Sequence, residues 1–293
     1  MSANERISAI VVTFHPRPEY SANLEKIRAQ VDLLIVVDNG SNEEELAQLR
    51  HASADPAFTL IENGDNLGIA AALNRGIREA QQAGCRWVAL FDQDSAVTNG
   101  FVTTMIAEFE EYSKERKILQ IIPRYVDPET GLERTVSAYG DGGVFLTITS
   151  GSLFSMEAFE KCGLFQENLF IYCVDDDYSL RIRKNGYFIG VSKKSILLHQ
   201  SGHPTSRKLL GMTLTTKNYR PEVRYYYARN KVWILRFYGK TFPRLIVPTL
   251  REFVTIPVKI ALMEEASWQK IKLFVRGLAD GVIGRMGKLR QVS

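Results

Sequence analysis

Short, continuous apolar runs alternate with stretches of helical composition through the first hundred residues. Residues 7–13 (ISAIVVT), 33–37 (LLIVV) and 87–91 (WVALF) are uninterrupted enough to be strands buried on both faces, and 58–62 reads as another strand. Residues 20–30, 43–50 and 69–83, which separate them, carry the composition of helices. This β-α-β-α-β-α-β order predicts a mostly parallel sheet with helices on both faces. In such sheets ligands gather beyond the carboxyl ends of the strands.

Three of those ends are polar: Thr13-Phe14-His15, Asp38-Asn39-Gly40-Ser41 and Asp92-Gln93-Asp94-Ser95. Each alone is an ordinary turn former. The last delivers two carboxylates, Asp92 and Asp94, with one residue between them. A strand places residues i and i+2 on the same side, so both can face one hard divalent cation, Mg²⁺ or Mn²⁺, whose shell a diphosphate would complete. The competing reading is a solvated turn or a helix cap supplied by Ser95. Neither the G-x-G-x-x-G fingerprint nor a G-x-x-x-x-G-K loop follows any strand, so phosphates would have to be held by metal and side chains.

The second half changes character. Glycine turns and short β segments over residues 136–153 predict an antiparallel extension of the sheet, followed by a helix starting near Ser155. Residues 169–187 (LFIYCVDDDYSLRIRKNGY) read as an aromatic strand end, three successive acids, and a helix carrying Arg181 and Arg183. Acids there are favoured by the helix dipole, and they are equally candidate catalytic carboxylates.

The chain of 293 residues is 45% hydrophobic and 24% charged, an ordinary globular composition. Its three cysteines are an odd number without metal-ligand spacing, which points to a reducing compartment and no disulfide framework. The opening MSANERISAI lacks the pattern of a signal peptide, so a cytoplasmic protein is expected. The net charge of +4 is uneven: residues 239–293 carry ten Lys/Arg against four Asp/Glu. That tail asks for an acidic partner. Within it Trp268, Ile271, Phe274, Val275 and Leu278 fall on one helical face, with Lys270, Lys272 and Arg276 off it. Such a helix either packs on the catalytic domain or lies on an anionic membrane surface, anchored by Trp268, Phe274 and the lysines. No segment reaches the ~18 apolar residues of a spanning helix. No recognition motif accompanies the basic charge, so nucleic acid is not an expected partner.

Taken in order, Val12-Thr13-Phe14-His15-Pro16, Asp38-Asn39-Gly40-Ser41, Asn66-Leu67-Gly68 with Asn74 and Gly76, Phe91-Asp92-Gln93-Asp94-Ser95, and Phe170-x-Tyr172-x-x-Asp175-x-Asp177-x-x-x-Arg181 resemble family 2 glycosyltransferases of the GT-A fold. Within them, the Phe91–Ser95 form, His199-Gln200-Ser201-Gly202 and Arg224-Tyr225-Tyr226-x-x-Arg229-Asn230 resemble bacterial rhamnosyltransferases. The resemblance spans about residues 7–290 and implies an α/β, Rossmann-like, mostly parallel sheet with a small antiparallel extension and C-terminal helices. It implies a catalytic domain over residues 1–238, with a nucleotide-binding half (1–98) and an acceptor and base half (99–238). Residues 239–293 would be a basic, amphipathic helical extension.

By the same resemblance the chain is expected to be an inverting, metal-dependent transferase moving L-rhamnose from dTDP-L-rhamnose to a glycan or polyprenyl-linked acceptor of cell-surface polysaccharide synthesis. It would work at the inner face of the cytoplasmic membrane. Thr13, Phe14, Asp38, Asn66, Gly68, Asn74, Asp92, Gly151, Arg224 and Arg229 would bind the nucleotide sugar. Asp92, Asp94 and His199 would hold Mg²⁺ or Mn²⁺. Asp175 would be the general base, with Asp177 and then Asp176 as rivals, because the family usually has Glu-Asp where this chain has Val174-Asp175. The alternatives are another donor such as a UDP-hexose, and a scaffold that binds nucleotide sugar without turnover.

Overall fold

Each apolar run of the N-terminal half is a strand in the computed structural model, which describes residues 5–52, 55–128, 130–198, 205–209, 212–216 and 218–289. The order is β1 (Ile7–Thr13), α1 (Ser21–Arg28), β2 (Leu33–Asp38), α2 (Glu43–Ala52), β3 (Phe58–Glu62), α3 (Ile69–Gln82) and β4 (Trp87–Asp92). The four strands are parallel. β1 and β2 are buried along their whole length, which is why their sequences are continuous rather than alternating. Register sets the rim: Thr13 stands beside Asp38, Val12 beside Asp92, and Asp38 beside Glu62.

Next come β5 (Ala96–Val97), α4 (Phe101–Ser113), β6 (Ile118–Val126), β7 (Ser137–Ala138), β8 (Val144–Leu146), β9 (Ser152–Ser155), α5 (Glu157–Cys162), α6 (Val174–Lys184) and β10 (Phe188–Leu198). The main sheet runs β3-β2-β1-β4-β9-β6-β10-β5. The antiparallel material was expected as an extension, yet β9 sits inside the sheet, antiparallel to both β4 and β6. Its four residues are all buried, and Gln120 of β6 donates to the Ser152 hydroxyl at 3.1 Å, although the Gln120 side-chain oxygen and the Ser155 hydroxyl are left without a partner. β7 and β8 form a separate two-stranded sheet.

The aromatic strand end expected before Asp175 is not a strand. A 3₁₀ turn, Glu167–Leu169, leads into a loop in which Phe170, Tyr172 and Cys173 all have positive φ, between 57° and 65°. The three acids lie in the first turn of α6.

Contacts divide the chain into two compact units: Met1–Glu167 with Asp175–Gln200, and Asn168–Val174 with Ser201–Ser293. The second holds a hairpin of β11 (Thr205–Leu209) and β12 (Met212–Thr216), then α7 (Pro221–Tyr238), α8 (Ile246–Met263) and α9 (Ser267–Ile283). The second unit thus takes in α7 together with residues 239–293. α7 belongs with the tail because α9 lays Gly277 and Gly281 against the carbonyls of Tyr225 and Arg229, and Tyr225 donates its hydroxyl to Asp280 at 2.8 Å.

That seam also rotates α9 from the face its sequence suggests. The buried positions are Lys270, Phe274, Gly277, Asp280 and Gly281, whereas Trp268 and Val275 are exposed. Lys270 is buried because its ammonium, together with Arg224, pairs with the fully buried Glu264. Among the described residues no helix is long and apolar enough to cross a membrane.

Candidate active site

The carboxyl rim of the first unit is built by turns that hold one another. Asp38, 1% exposed, accepts from the Gly40 and Ser41 amides on one oxygen and from the Thr13 and Ser41 hydroxyls on the other. Those four donors fill the carboxylate's capacity and close the turn after β2. Gly40 takes a φ of 101°, and a Cβ there would stand 2.8 Å from the carbonyl carbon of Asp65, so the turn needs glycine twice over. Asn39 then donates to Asn66 and accepts from Asn63 and from the Leu67 amide, and Asn66 accepts from the Gly68 amide. The result is a web of asparagines joining the 38–41 turn to the entry of α3.

Of the predicted nucleotide-side residues, Thr13, Phe14, Asp38, Asn66 and Gly68 share this rim. Phe14 is partly exposed, and its amide donates to the Gln93 side chain at 2.9 Å. Gln93 is the middle residue of the paired-acid motif. It ties the rim of β1 to that of β4. Asn74 lies elsewhere: buried, it both donates to and accepts from the Phe165 main chain, at 2.9 and 2.8 Å, and donates to Glu167. It braces the end of the 157–167 segment. The side of Gly151 on which a Cβ would stand is filled by Leu197 and Pro123.

Asp92 ends β4, partly buried, and Asp94 is exposed two residues on. Two hydroxyls support the first: the Asp92 amide donates to Ser95 at 3.1 Å and to Ser150 at 3.4 Å, and the two serines are 2.8 Å apart. Both serines are almost fully buried. Burial pushes the Asp92 carboxyl up to about 6, with repulsion from Asp94 adding and a Ser150 hydrogen bond opposing. Two like charges so arranged call for a cation. Hard carboxylate oxygens suit Mg²⁺ or Mn²⁺, and a cation that also takes diphosphate oxygens needs only one or two protein carboxylates. Among the described residues no group of three or more His, Cys, Asp or Glu side chains gathers to hold a metal. His199, the expected third ligand, lies outside the described residues.

The three acids of α6 separate by environment. Asp177, 2% exposed, is locked to Arg181 at 2.7 and 3.0 Å. Asp176 donates its amide to Asp175 at 3.0 Å. Asp175 is partly buried, and burial first, then repulsion from Asp176 and, more weakly, from Asp92, pushes it up to about 7. A carboxylate raised that far, on a different element from the paired acids yet within reach of the Asp92 charge, is suited to take a proton near neutrality.

In the second unit, considered separately, Arg224 and Arg229 are committed to internal partners. Arg224 pairs with Glu264 and lies 3.4 Å from Thr216. Arg229, with no exposed surface, donates to the carbonyls of Asn168, Leu169 and Gly287 and to the Asn230 side chain. Asn230 donates to the carbonyls of Leu169, Ile171 and Tyr172 at 2.7 to 2.9 Å. Both residues hold the left-handed loop, a function that the sequence does not signal.

A family model, "Glycosyl transferase family 2", matches residues 8–163, more than half of the chain. The chain is 28% identical to dTDP-rhamnosyl transferase RfbF of Shigella flexneri, over 97% of its own length and 98% of that protein's. Among solved structures, GalNAc-T7 with UDP, GalNAc and Mn²⁺ matches with a TM-score of 0.58 at 14% identity, over 96% of this chain and 58% of that one. TarS of S. aureus matches with a TM-score of 0.65 at 15% identity, over 96% of this chain and 49% of TarS. The chain thus spans only about half the length of these structural relatives, and the likeness is one of fold, the GT-A architecture.

Proposed function

We propose that this chain, which belongs to glycosyl transferase family 2, transfers L-rhamnose from dTDP-L-rhamnose, with inversion, to a lipid-linked or polysaccharide acceptor in cell-surface glycan synthesis. The observation that supports the chemistry is the presence in one unit of two acidic elements, the Asp92–Asp94 pair at the end of β4 and Asp175 in the first turn of α6, with the Asp92 charge felt at Asp175 and both carboxyls raised by burial and by neighbouring carboxylates. The donor is inferred from the whole-length likeness to a dTDP-rhamnosyl transferase.

Asp175 is the general base. As the acceptor oxygen attacks the anomeric carbon from the face opposite the diphosphate, its proton passes to the Asp175 carboxylate and the bond to the diphosphate breaks, its electron pair leaving with dTDP. Attack from that face inverts the configuration. Asp92 and Asp94 are the residues to hold Mg²⁺ or Mn²⁺, which when bound neutralises charge on the departing diphosphate. Ser150 and Ser95 keep the Asp92 main chain and carboxyl in place. At the base end, the Thr13 and Ser41 hydroxyls can rotate away from Asp38 and release an acceptor site for the imide N–H of thymine. Phe14, partly exposed beside that site, offers an apolar face to the base. Val174, where the family usually has an acid, is 3% exposed and packs as an apolar residue, which leaves Asp175 as the unlocked acid at the helix start.

The test is donor binding by calorimetry, together with nucleotide release, across a panel of nucleotide sugars with Mn²⁺ or Mg²⁺. Preference for dTDP-L-rhamnose that EDTA abolishes is the expected result. Preference for a UDP-sugar would overturn the donor and keep the site. Metal-independent binding without turnover would favour a nucleotide-sugar-binding scaffold.

A further inference from the structure

Helix α8 carries an apolar face that nothing in its own unit covers. Val247, Leu250, Val254, Val258 and Leu262 recur at spacings of three and four, so they form one stripe along the helix, and all five are at least half exposed. Val247 reaches 74% and Val254 67%. Ile246 and Ala261, also exposed, widen the stripe at its two ends. On the opposite side the helix has its true core contacts, Thr249, Ile260 and Met263. A helix that buries one face and leaves a second apolar face in water is out of keeping with a simple surface helix, whose outer face is polar.

The exposed charge around the N-terminal half of that stripe is one-signed, and Glu265 is the exposed acid just past its far end. Lys240, Arg244 and Arg251 are exposed at or just before its N-terminal half, whereas Glu252, the acid of the same helix, is turned inward and accepts a hydrogen bond from Tyr227 at 2.6 Å. A second copy of this chain is a poorer occupant: a parallel two-fold contact would bring these cations together, and an antiparallel one would set them toward no exposed acid beyond Glu265. An anionic bilayer fits both halves of the surface. Aliphatic side chains enter the boundary between headgroups and acyl chains, and the Arg and Lys heads stay at the level of lipid phosphates while their stems cover apolar surface.

We propose that α8 is the membrane-contact helix of this protein, seating Val247, Leu250, Val254, Val258 and Leu262 in an anionic lipid surface with Lys240, Arg244 and Arg251 on its phosphates. This rests on the proposed transfer at the membrane face and moves the contact from α9, where the sequence suggested it, to α8. Phe274 of α9 cannot be an anchor, because it is fully buried.

The test is flotation of the full chain with vesicles of phosphatidylcholine alone or mixed with phosphatidylglycerol, at low and high salt. The wild type is expected to float with the mixed vesicles, less at high salt and not with phosphatidylcholine alone. Val254→Glu combined with Val258→Glu should cut the bound fraction about tenfold, as should Arg244→Glu with Arg251→Glu, each removing one of the two attractions. Metal-dependent nucleotide release from dTDP-L-rhamnose by the same variants in solution should stay at the wild-type level. That readout checks folding and reads the proposed donor independently of the membrane. The proposal is overturned if the wild type floats with neither vesicle, if both variant pairs float like wild type, or if light scattering finds a dimer that the valine variants split.

Discussion

Asn230 donates its side-chain amide to the carbonyl of Tyr172 at 2.7 Å, and Tyr172 is itself held at a φ of 65°. The same amide reaches the carbonyls of Leu169 and Ile171, and Phe170 stacks on Tyr226 with ring centroids 5.0 Å apart. Left-handed backbone at bulky residues costs about 1–3 kcal/mol each, so the loop persists only because these partners over-determine it. Asp175 follows two residues after the last strained position.

Asn230→Ala is therefore expected to lower turnover by about tenfold or more, since a base displaced by about an ångström loses much of its rate. Its donor Kd should stay within about twofold, because nothing in the second unit is required to hold the nucleotide in this reading. Kinetics and calorimetry on one preparation check the split. Unchanged turnover would mean that the loop does not set the base.

Asp175→Asn is expected to reduce transfer by about 10²–10⁴-fold, the range of a lost general base, while donor binding persists. Asp177→Asn should act differently, because it removes the negative charge facing Arg181 and leaves that cation an amide oxygen, the Tyr178 ring and the carbonyls of Cys162 and Leu164. Breaking a buried pair from one side costs about 3–5 kcal/mol, less here because Arg181 is partly exposed, so a fall in the denaturation midpoint should accompany any lost activity. An Asp177→Asn protein of wild-type stability but no turnover would move the base to Asp177.

Proton linkage gives a further prediction with a definite sign. Asp92 and Asp175 have folded values of about 6 and about 7, above the ordinary carboxylate value of roughly 4. A raised folded value means that the native state holds the proton more tightly than the unfolded chain. Their contribution to stability is then full below about pH 4 and is lost as pH rises through 6 to 7. Transfer needs the opposite state, an ionised Asp175, so activity should climb over the same interval. Melting temperatures of the metal-free protein from pH 5 to 8, read beside the rate profile, should run in opposite directions. Adding Mn²⁺ should recover more stability at pH 8 than at pH 5, where protons compete for Asp92. Melting that is flat across this interval, with and without metal, would remove the basis for a shared acidic site.

Much of the first unit was legible in the sequence. Apolar runs buried on both faces have no other simple reading, and parallel register then forces their polar ends onto one rim, so Thr13, Asp38 and Asp92 could be grouped before any coordinates. The acids at 175–177 could be named but not ranked, since the Asp177–Arg181 pair and the neighbourhood of Asp92 depend on how α6 is set against the sheet. Asn74, Arg224 and Arg229 could be singled out as polar positions, but not the internal bonds they make. Most of their partners are carbonyls and carboxylates distant in sequence, and a sequence does not reveal which of its polar groups will be needed to satisfy its own backbone.

The local code of short-range pattern determined the strands, the helices and the chemistry available at the strand ends, because those depend on spacing within a few residues. Tertiary structure alone decided where β9 inserts, that residues 170–173 form a left-handed loop rather than a strand, and which face of α9 is buried. Each of those outcomes is set by competition between long-range partners: hydrogen-bonding neighbours for β9, the Asn230 amide for the loop, and the close approach of Gly277 and Gly281 to α7 for the helix. The exposed stripe of α8 belongs to the same class, for an apolar pattern predicts a buried face and only packing reveals that one has been left open.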